Sequence, residues 1–389
     1  MQLYEVLLSL SQSRRFQNGL RPLLPTLFAC SLQYMQITAR QQDDWGDDPG
    51  LFFEEDECMA DGAGLTVRSS AASLVHELIN HFGHEAVPLF LECVDKQVEA
   101  ASAARGNGNP NWWKLRESCL FSICFNKKFL KSSASPFDVA AATEKFLRED
   151  VLPSDVPDFL RGRALQIGVA FSRQIKGTHQ SPAFLQAAIA GVLSEEYSPL
   201  RVTACACLGR MCSSLPAEET KPYVQHMLQG LMRFLQDADE DLIHIALECL
   251  AVVIKVDSAV SASAVVEIGS AVMRGWSNFV NDPVISTVVL EVFSAFAAIP
   301  ECQSELHKLV LPAAVGVLQE PHAQCTVVEG MLDLTLALLQ DCGVDLARAA
   351  FEKLFAQLIH RVRGRITLTF NQYECLDTAF PLRGKQKVN

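Results

Sequence analysis

No uncharged apolar run in this 389-residue chain reaches the ~18 residues that a membrane-spanning helix needs. The opening MQLYEVLLSLSQSRRF has no small-residue cleavage site after its apolar part, so it does not read as a secretory signal. A basic excess is also missing. Lys and Arg number 33 against 45 Asp and Glu, the formal net charge is −12, and no basic stripe is present. That balance argues against direct binding of nucleic acid. A disulfide framework is absent too. The 13 cysteines are odd in number and irregularly spaced, and Cys205, Cys207 and Cys249 lie inside apolar helical patterns. Reduced, buried thiols of a cytosolic or nuclear protein fit this better.

Catalytic signatures are lacking as well. There is no P-loop, nucleophile elbow or kinase motif set. The stretch RGNGNP lacks the strand–turn–helix context of a phosphate-binding glycine loop. HELINHFGH suggests zinc at first sight, but His76 and His81 are five residues apart. On a helix they diverge by ~140°, whereas the metalloprotease pattern needs i, i+4 on one face. CAC with Cys212 has no metal-finger spacing. No catalytic residue, metal site or cofactor is expected, and the chain does not read as an enzyme.

What is present is helix. Val224, Met227, Leu228, Leu231, Met232 and Leu235 fall at i, i+3, i+4, i+7, i+8 and i+11, and Ile285, Val288, Val289, Val292, Phe293 and Phe296 follow the same template. Ser181-Pro182, Ser198-Pro199 and Asp282-Pro283 each place a capping side chain before a proline, a helix-start signal. The helices repeat: Pro199, Asp241 and Pro283 are equivalent positions 42 residues apart, and Arg161 stands about one period before Arg201. Paired helices at ~40–47 residues per unit are the HEAT or armadillo signature. The fold expected is all-α, an α-solenoid of about eight such pairs, because one pair cannot bury its own apolar face. One tryptophan of the pair Trp112-Trp113 should pack between repeats, since adjacent helical residues point ~100° apart.

Two segments break the pattern. Residues 43–62, DDWGDDPGLFFEEDECMADG, hold nine acids and no base and carry −9 of the net charge. These are Asp43, Asp44, Asp47, Asp48, Glu54, Glu55, Asp56, Glu57 and Asp61, with Trp45, Phe52 and Phe53 among them. The segment reads as a long acidic inter-helix loop over 43–64, between HEAT-like helices in 1–42 and a solenoid over 65–363. Such a loop attracts basic partners in a salt-dependent way. At the other end Ile366, Leu368 and Phe370 alternate with Arg365, Thr367 and Thr369, a strand-like period. Residues 364–389 read as a non-repeat tail, either mis-assigned or disordered. The whole reads as an internal slice of a longer array.

Particular residues also carry a family resemblance. YMQITARQQDDWGDDPGLFFEEDE, then TVRSSAASLVHELI, then NWWKLRESCLFS resemble the middle of importin-9-like β-karyopherins, nuclear import receptors of the importin-β superfamily. FLRGRALQIGVAFSR, SPLRVTACACLGRMC and NDPV extend the likeness over roughly residues 20–340. The resemblance implies a HEAT solenoid that shuttles between cytoplasm and nucleus through the nuclear pore. It implies basic protein cargo such as histones and ribosomal proteins, response to the Ran GTPase, and contact with nuclear pore proteins. It implies that the nine acids contact cargo or Ran, with Trp45, Phe52 and Phe53 as flanking contacts. An exportin and another HEAT-repeat scaffold or adaptor are the alternative readings.

Overall fold

The computed structural model describes residues 2–57, 66–238, 240–340 and 342–379, with the backbone alone of residues 14, 57, 277 and 363–379. Among the described residues there is no strand. The chain forms two compact units, Met1–Asp257 and Ser258–Asn389.

The first unit opens with α1 (Gln2–Gln12) and α2 (Arg14–Leu20), and α1 packs on α6. Next come α3 (Leu24–Tyr34), α4 (Ala39–Asp47), α5 (Pro49–Glu57), α6 (Val67–Phe82), α7 (Ala86–Gly106), α8 (Trp112–Phe125) and the single turn α9 (Lys127–Leu130). Then follow α10 (Val139–Phe146), α11 (Asp158–Ala170), the turn α12 (Ser172–Ile175), α13 (Gln180–Val192) and α14 (Pro199–Ser214). The turn α15 (Ala217–Thr220), α16 (Val224–Asp237) and α17 (Glu240–Val253) close the unit. Five antiparallel-type pairs result: α3/α6, α7/α8, α10/α11, α13/α14 and α16/α17. Their second helices α8, α11, α14 and α17 lie in a row, each against the next.

The row is held by apolar faces and by arginines. In α16 Val224, Met227, Leu228 and Leu231 are buried, as the 3.6-residue periodicity requires, while Leu235 is half-buried. Each buried aliphatic side chain contributes about 1.5–3 kcal/mol. The early arginine of two second helices also reaches an acid of the following pair. Arg116 Nε meets Asp150 Oδ1 at 2.6 Å and its Nη2 meets Glu149 at 2.7 Å. Arg201, buried, donates to Asp237 at 2.8 Å and to the Val192 carbonyl at 3.2 Å. Glu149 and Asp150 lie in a π-helical turn, Leu147–Val151, whose wider winding lets two successive acids face one guanidinium.

The second unit contains α18 (Ser258–Phe279), α19 (Pro283–Ala297), α20 (Pro300–Gln319), α21 (Cys325–Gln340) and α22 (Val344–Ala379). The pairs α18/α19 and α20/α21 stack, and α22 packs on α20. All six positions of the predicted face of α19 are buried. Among the described residues seven pairs are traced, five in the first unit and two in the second.

Some expectations change. Asp282 does cap α19, accepting from Val284 N at 2.8 Å and Ile285 N at 3.1 Å. Ser198 is the N-cap of α14 without a side-chain cap bond, and Ser181 lies inside α13, with its hydroxyl donated to Glu219. The period of two over residues 365–370 does not make a strand. Six residues cannot outweigh a helix already propagating from Val344, and α22 crosses the expected boundary at 363 to reach Ala379. Residues 380–389 of the expected tail lie outside the described residues. The 11 cysteines whose side chains are described are all free thiols.

Close approach of helices constrains several glycines, Gly168 most tightly. A methyl group on Gly168 of α11 would lie 2.5 Å from the Phe184 ring of α13. Gly168→Ala is expected to destabilise the first unit by about 1–3 kcal/mol, read as a lower urea midpoint.

His307 sets a pH dependence in the second unit. Its ring is buried in α20. Burial holds its pKa below the ordinary imidazole value, with the Leu338 backbone partly opposing. The unfolded chain therefore takes up a proton first. Stability present at pH 7.5 should decline as pH falls through about 6.5, and His307→Leu should reduce the drop in Tm between pH 7.5 and 5.5.

Candidate functional site: an acidic bracket across the second helices

The acidic segment is helical through Glu57, where a loop was expected. Thr38 begins α4 with a capping box: its hydroxyl accepts from Gln41 N, and the Gln41 side chain accepts from Thr38 N. Arg40 and Asp44 pair at i, i+4 and 3.2 Å. Asp48 ends α4 and starts α5, its Oδ1 accepting from Leu51 N at 3.0 Å with Pro49 next in the chain. The boundary expected at residue 42 thus falls inside a helix, and residues 58–65 lie outside the described residues.

An aromatic cluster anchors the two helices. Trp45 has no exposed surface and Phe52 is buried. Their ring centroids are 5.3 Å apart, and both meet Phe159 of α11, at 6.2 Å and 5.5 Å. Trp113 of α8 stacks on the same Phe159 at 5.7 Å. Trp113 is the buried member of its pair, while half-buried Trp112 lies under Arg105. Trp45 Nε1 donates to Glu55 at 2.7 Å, which satisfies the buried indole.

One helical turn beyond each aromatic lies a charge. Phe52 and Asp56, Phe159 and Arg163, and Trp113 and Glu117 are three i, i+4 pairs on α5, α11 and α8. The aromatics meet in one layer and the charges in the next. Arg163 Nη2 donates to both Asp56 oxygens at 2.5 and 2.6 Å, and its Nε donates to Glu117 at 2.9 Å. Arg68 of α6 holds Glu117 from the other side at 2.6 and 2.9 Å and also donates to the Met35 carbonyl. Asp56, Arg68, Glu117 and Arg163 are all buried, two acids against two bases. Burial alone would lower the Arg163 pKa, but Asp56 and Glu117 more than reverse this and hold the guanidinium charged. Both guanidinium groups also lie over the Phe121 ring, at 4.3 and 4.8 Å.

The far part of α5 packs on α14. There Gly50 faces Leu242, and the half-buried Phe53 ring meets His244 of α17 at 6.1 Å. The segment inserted into the first pair thus reaches the second helices α11, α14 and α17 of three later pairs.

The nine acids therefore divide. Asp43, Asp44, Asp47, Asp48, Glu54 and Glu55 are exposed. Among these, Asp44, Asp48 and Glu55 also bond within α4–α5. Asp43 lies near Lys114, whose pKa is lowered by burial with Asp43 opposing. Asp56 is inside the protein with both oxygens on Arg163, so it does not belong to the exposed set. Glu57 ends α5, and Asp61 lies outside the described residues. Trp45 and Phe52 face the interior and are not exposed flanking contacts. Sequence reasoning did not single out Arg68, Glu117, Phe159 or Arg163. The T-x-x-Q spacing at Thr38, the Asp48-Pro49 step and the shared i, i+4 aromatic–charge spacing were the signals available.

The histidines His76 and His81 of HELINHFGH each have a side-chain partner. His76 Nδ1 lies 3.1 Å from Asn126 Oδ1 with its ring on Phe125 and Phe129, and His81 pairs with Glu77 at 3.1 Å. Among the described residues no cluster of His, Cys, Asp or Glu could hold a metal ion, and no helix is long and apolar enough to cross a membrane.

Stacked helix pairs with a charged bracket define a HEAT-type α-solenoid. A family model described as Importin-9 central HEAT repeats matches residues 19–268, more than half of the chain, and the chain belongs to this family. It is similar to Importin-9 of Drosophila melanogaster, 21% identical over 370 residues, covering 93% of this chain and 36% of that protein. Among solved structures it resembles Lph2, described as a novel bidirectional nuclear transport receptor in S. cerevisiae. The TM-score is 0.69 at 13% identity, covering 88% of this chain and 36% of the other. It also resembles Kap121p, with a TM-score of 0.59 at 13% identity, covering 92% of this chain and 32% of the other. These structural likenesses establish the fold. The chain spans about a third of the length of the relatives it matches.

Removing Asp56 leaves Arg163 buried without half of its countercharge. Asp56→Ala is expected to cost about 3–5 kcal/mol, against about 0–1 kcal/mol for exposed Asp47→Ala. Chemical denaturation of the two variants checks the contrast.

Proposed function

We propose that this chain is the central portion of a nuclear transport receptor of the import type, which binds basic protein cargo on the exposed acids of α4 and α5. The observation that carries the reading is the set Asp43, Asp44, Asp47, Asp48, Glu54 and Glu55, exposed on two helices that the interior holds in place. Carboxylates on a fixed frame lose little freedom when a lysine- or arginine-rich surface meets them. Each exposed contact is weak, so affinity comes from several together, and long-range attraction speeds encounter. Family membership supports the transport role. Histones and ribosomal proteins are the cargo class whose charge fits. Binding is stoichiometric, with no chemical step and no cofactor. The Ran GTPase and nuclear pore proteins are the further partners of this reading, and shuttling between cytoplasm and nucleus is its localisation.

A second reading is export, in which cargo is bound together with Ran–GTP. It draws on the description of Lph2 as bidirectional. Ran locked to GTP should release import cargo and retain export cargo.

The test neutralises only acids free of structural work: Asp43→Asn, Asp47→Asn and Glu54→Gln together, with Asp44→Asn, whose partner Arg40 is itself exposed. Binding of a core histone should weaken by about tenfold at low salt, as expected from four contacts of roughly 0.3–0.5 kcal/mol each. The salt dependence should flatten. Unchanged affinity across the salt series would exclude the acidic bracket as the cargo face.

A further inference from the structure

We infer that Asp56 is a positioning residue: through Arg163 it fixes α4–α5 as a brace across five helix pairs, and thereby sets the geometry in which the exposed carboxylates meet a basic partner. The last clause rests on the cargo-binding reading above; the brace itself does not.

In a solenoid each repeat ordinarily touches only its neighbours, so the relation between distant pairs is the sum of many small adjustments. The insert departs from that rule. It leaves the chain between α3 and α6 of the first pair, and it reaches α6, α11, α14 and α17. Three features fix its register. Phe52 and Asp56 match Phe159 and Arg163 one turn apart, so a slip of one residue would break the aromatic and the ionic contact together. Trp45 is fully buried and its indole N–H is taken by Glu55, which ties α4 to α5. Phe53 on His244 holds the far end. Asp56 is the member with no substitute nearby, because Glu117 is already shared by Arg68 and Arg163.

The brace separates two quantities. Affinity depends on where the carboxylates are held, whereas the slope with salt depends on how many take part. Asp56 is buried, so its loss alters the first and leaves the exposed set unchanged.

The experiment combines hydrogen exchange of the full chain with binding of a 20-residue polylysine peptide over a salt series. In Asp56→Asn the amides of 39–57 should lose at least tenfold in protection and those of α17 should exchange faster. Polylysine should bind about fivefold more weakly with its salt slope retained. Asp47→Asn should do the reverse, keeping protection and flattening the slope. Phe53→Ala changes no charge and disturbs no buried ion, and it should shift exchange and affinity in the same direction as Asp56→Asn by a smaller factor. Retained protection in Asp56→Asn overturns the brace. Lost protection with unchanged affinity overturns the positioning role. Should Asp56→Asn fail to fold, Phe53→Ala decides on the same two readouts. If polylysine does not bind the unaltered chain, the cargo reading fails, and exchange in α17 still decides the brace.

Discussion

A guanidinium taken out of water must find carboxylates on the sides from which solvent has been removed, and Arg163 imposes this on everything around it. Its own helix supplies no acid at the right place. The preceding second helix supplies Glu117, but Glu117 is also bound by Arg68. A second carboxylate must come from outside the row, and the insert brings it as Asp56. Desolvating four ionised groups is costly, and pairs of this kind often add little net stability compared with apolar replacements. Their effect is on uniqueness. Only one placement of α5 satisfies all four groups, and that placement also sets Phe52 edge-on against Phe159.

Electrostatics thus does two different things within fifteen residues. On the inner side of α4–α5, charge is paired and dry, and it determines where the helices lie. On the outer side, charge is solvated and individually weak. The two sides are linked by helix geometry: Asp56 points inward because it is four residues from Phe52, while Glu54 is exposed and Glu55 lies at the border, exposed yet bonded to the Trp45 indole. A run of acids with interspersed aromatics is ordinarily a solvated linker. Here the aromatics supply apolar area, a capping box starts one helix and an Asp-Pro step starts the next, and Arg163 takes Asp56 out of the self-repulsion of the run.

The repeat architecture was legible because it is local. Apolar positions at i, i+3, i+4 and i+7 determine a helix whatever surrounds it, and the 42-residue recurrence of Pro199, Asp241 and Pro283 showed which helices are equivalent. The tertiary link was not legible for the opposite reason. Arg163 lies 107 residues from Asp56, and nothing in the pattern FLRGRAL distinguishes an arginine that meets the solvent from one that meets an insert. Arg161 was the residue marked by the repeat, yet Arg163, two positions later, turns toward the insert. The helical state of the acidic segment is an intermediate case. Its start signals were present at Thr38 and Asp48, but the density of charge outweighed them, since like charges at i, i+4 disfavour an isolated helix. The tail shows the converse: six alternating residues suggested a strand, and α22 carries them in a helix.

Nearest-neighbour stacking lets a solenoid flex, because small rotations at each interface accumulate along the array. A brace that touches the second helices of three successive pairs removes much of that freedom locally, since any change in spacing between α11 and α17 must be taken up by α5 or break one of its contacts. The array then has a region in which positions are correlated over many residues, adjoining helices that are coupled only in series. Surface charges on the correlated region keep a constant arrangement while the rest of the array adapts. A partner recognised by charge alone would gain nothing from this. A partner recognised by charge at particular spacings gains preorganised contacts, because the freedom that its binding would have to remove was already removed when Asp56 met Arg163 during folding.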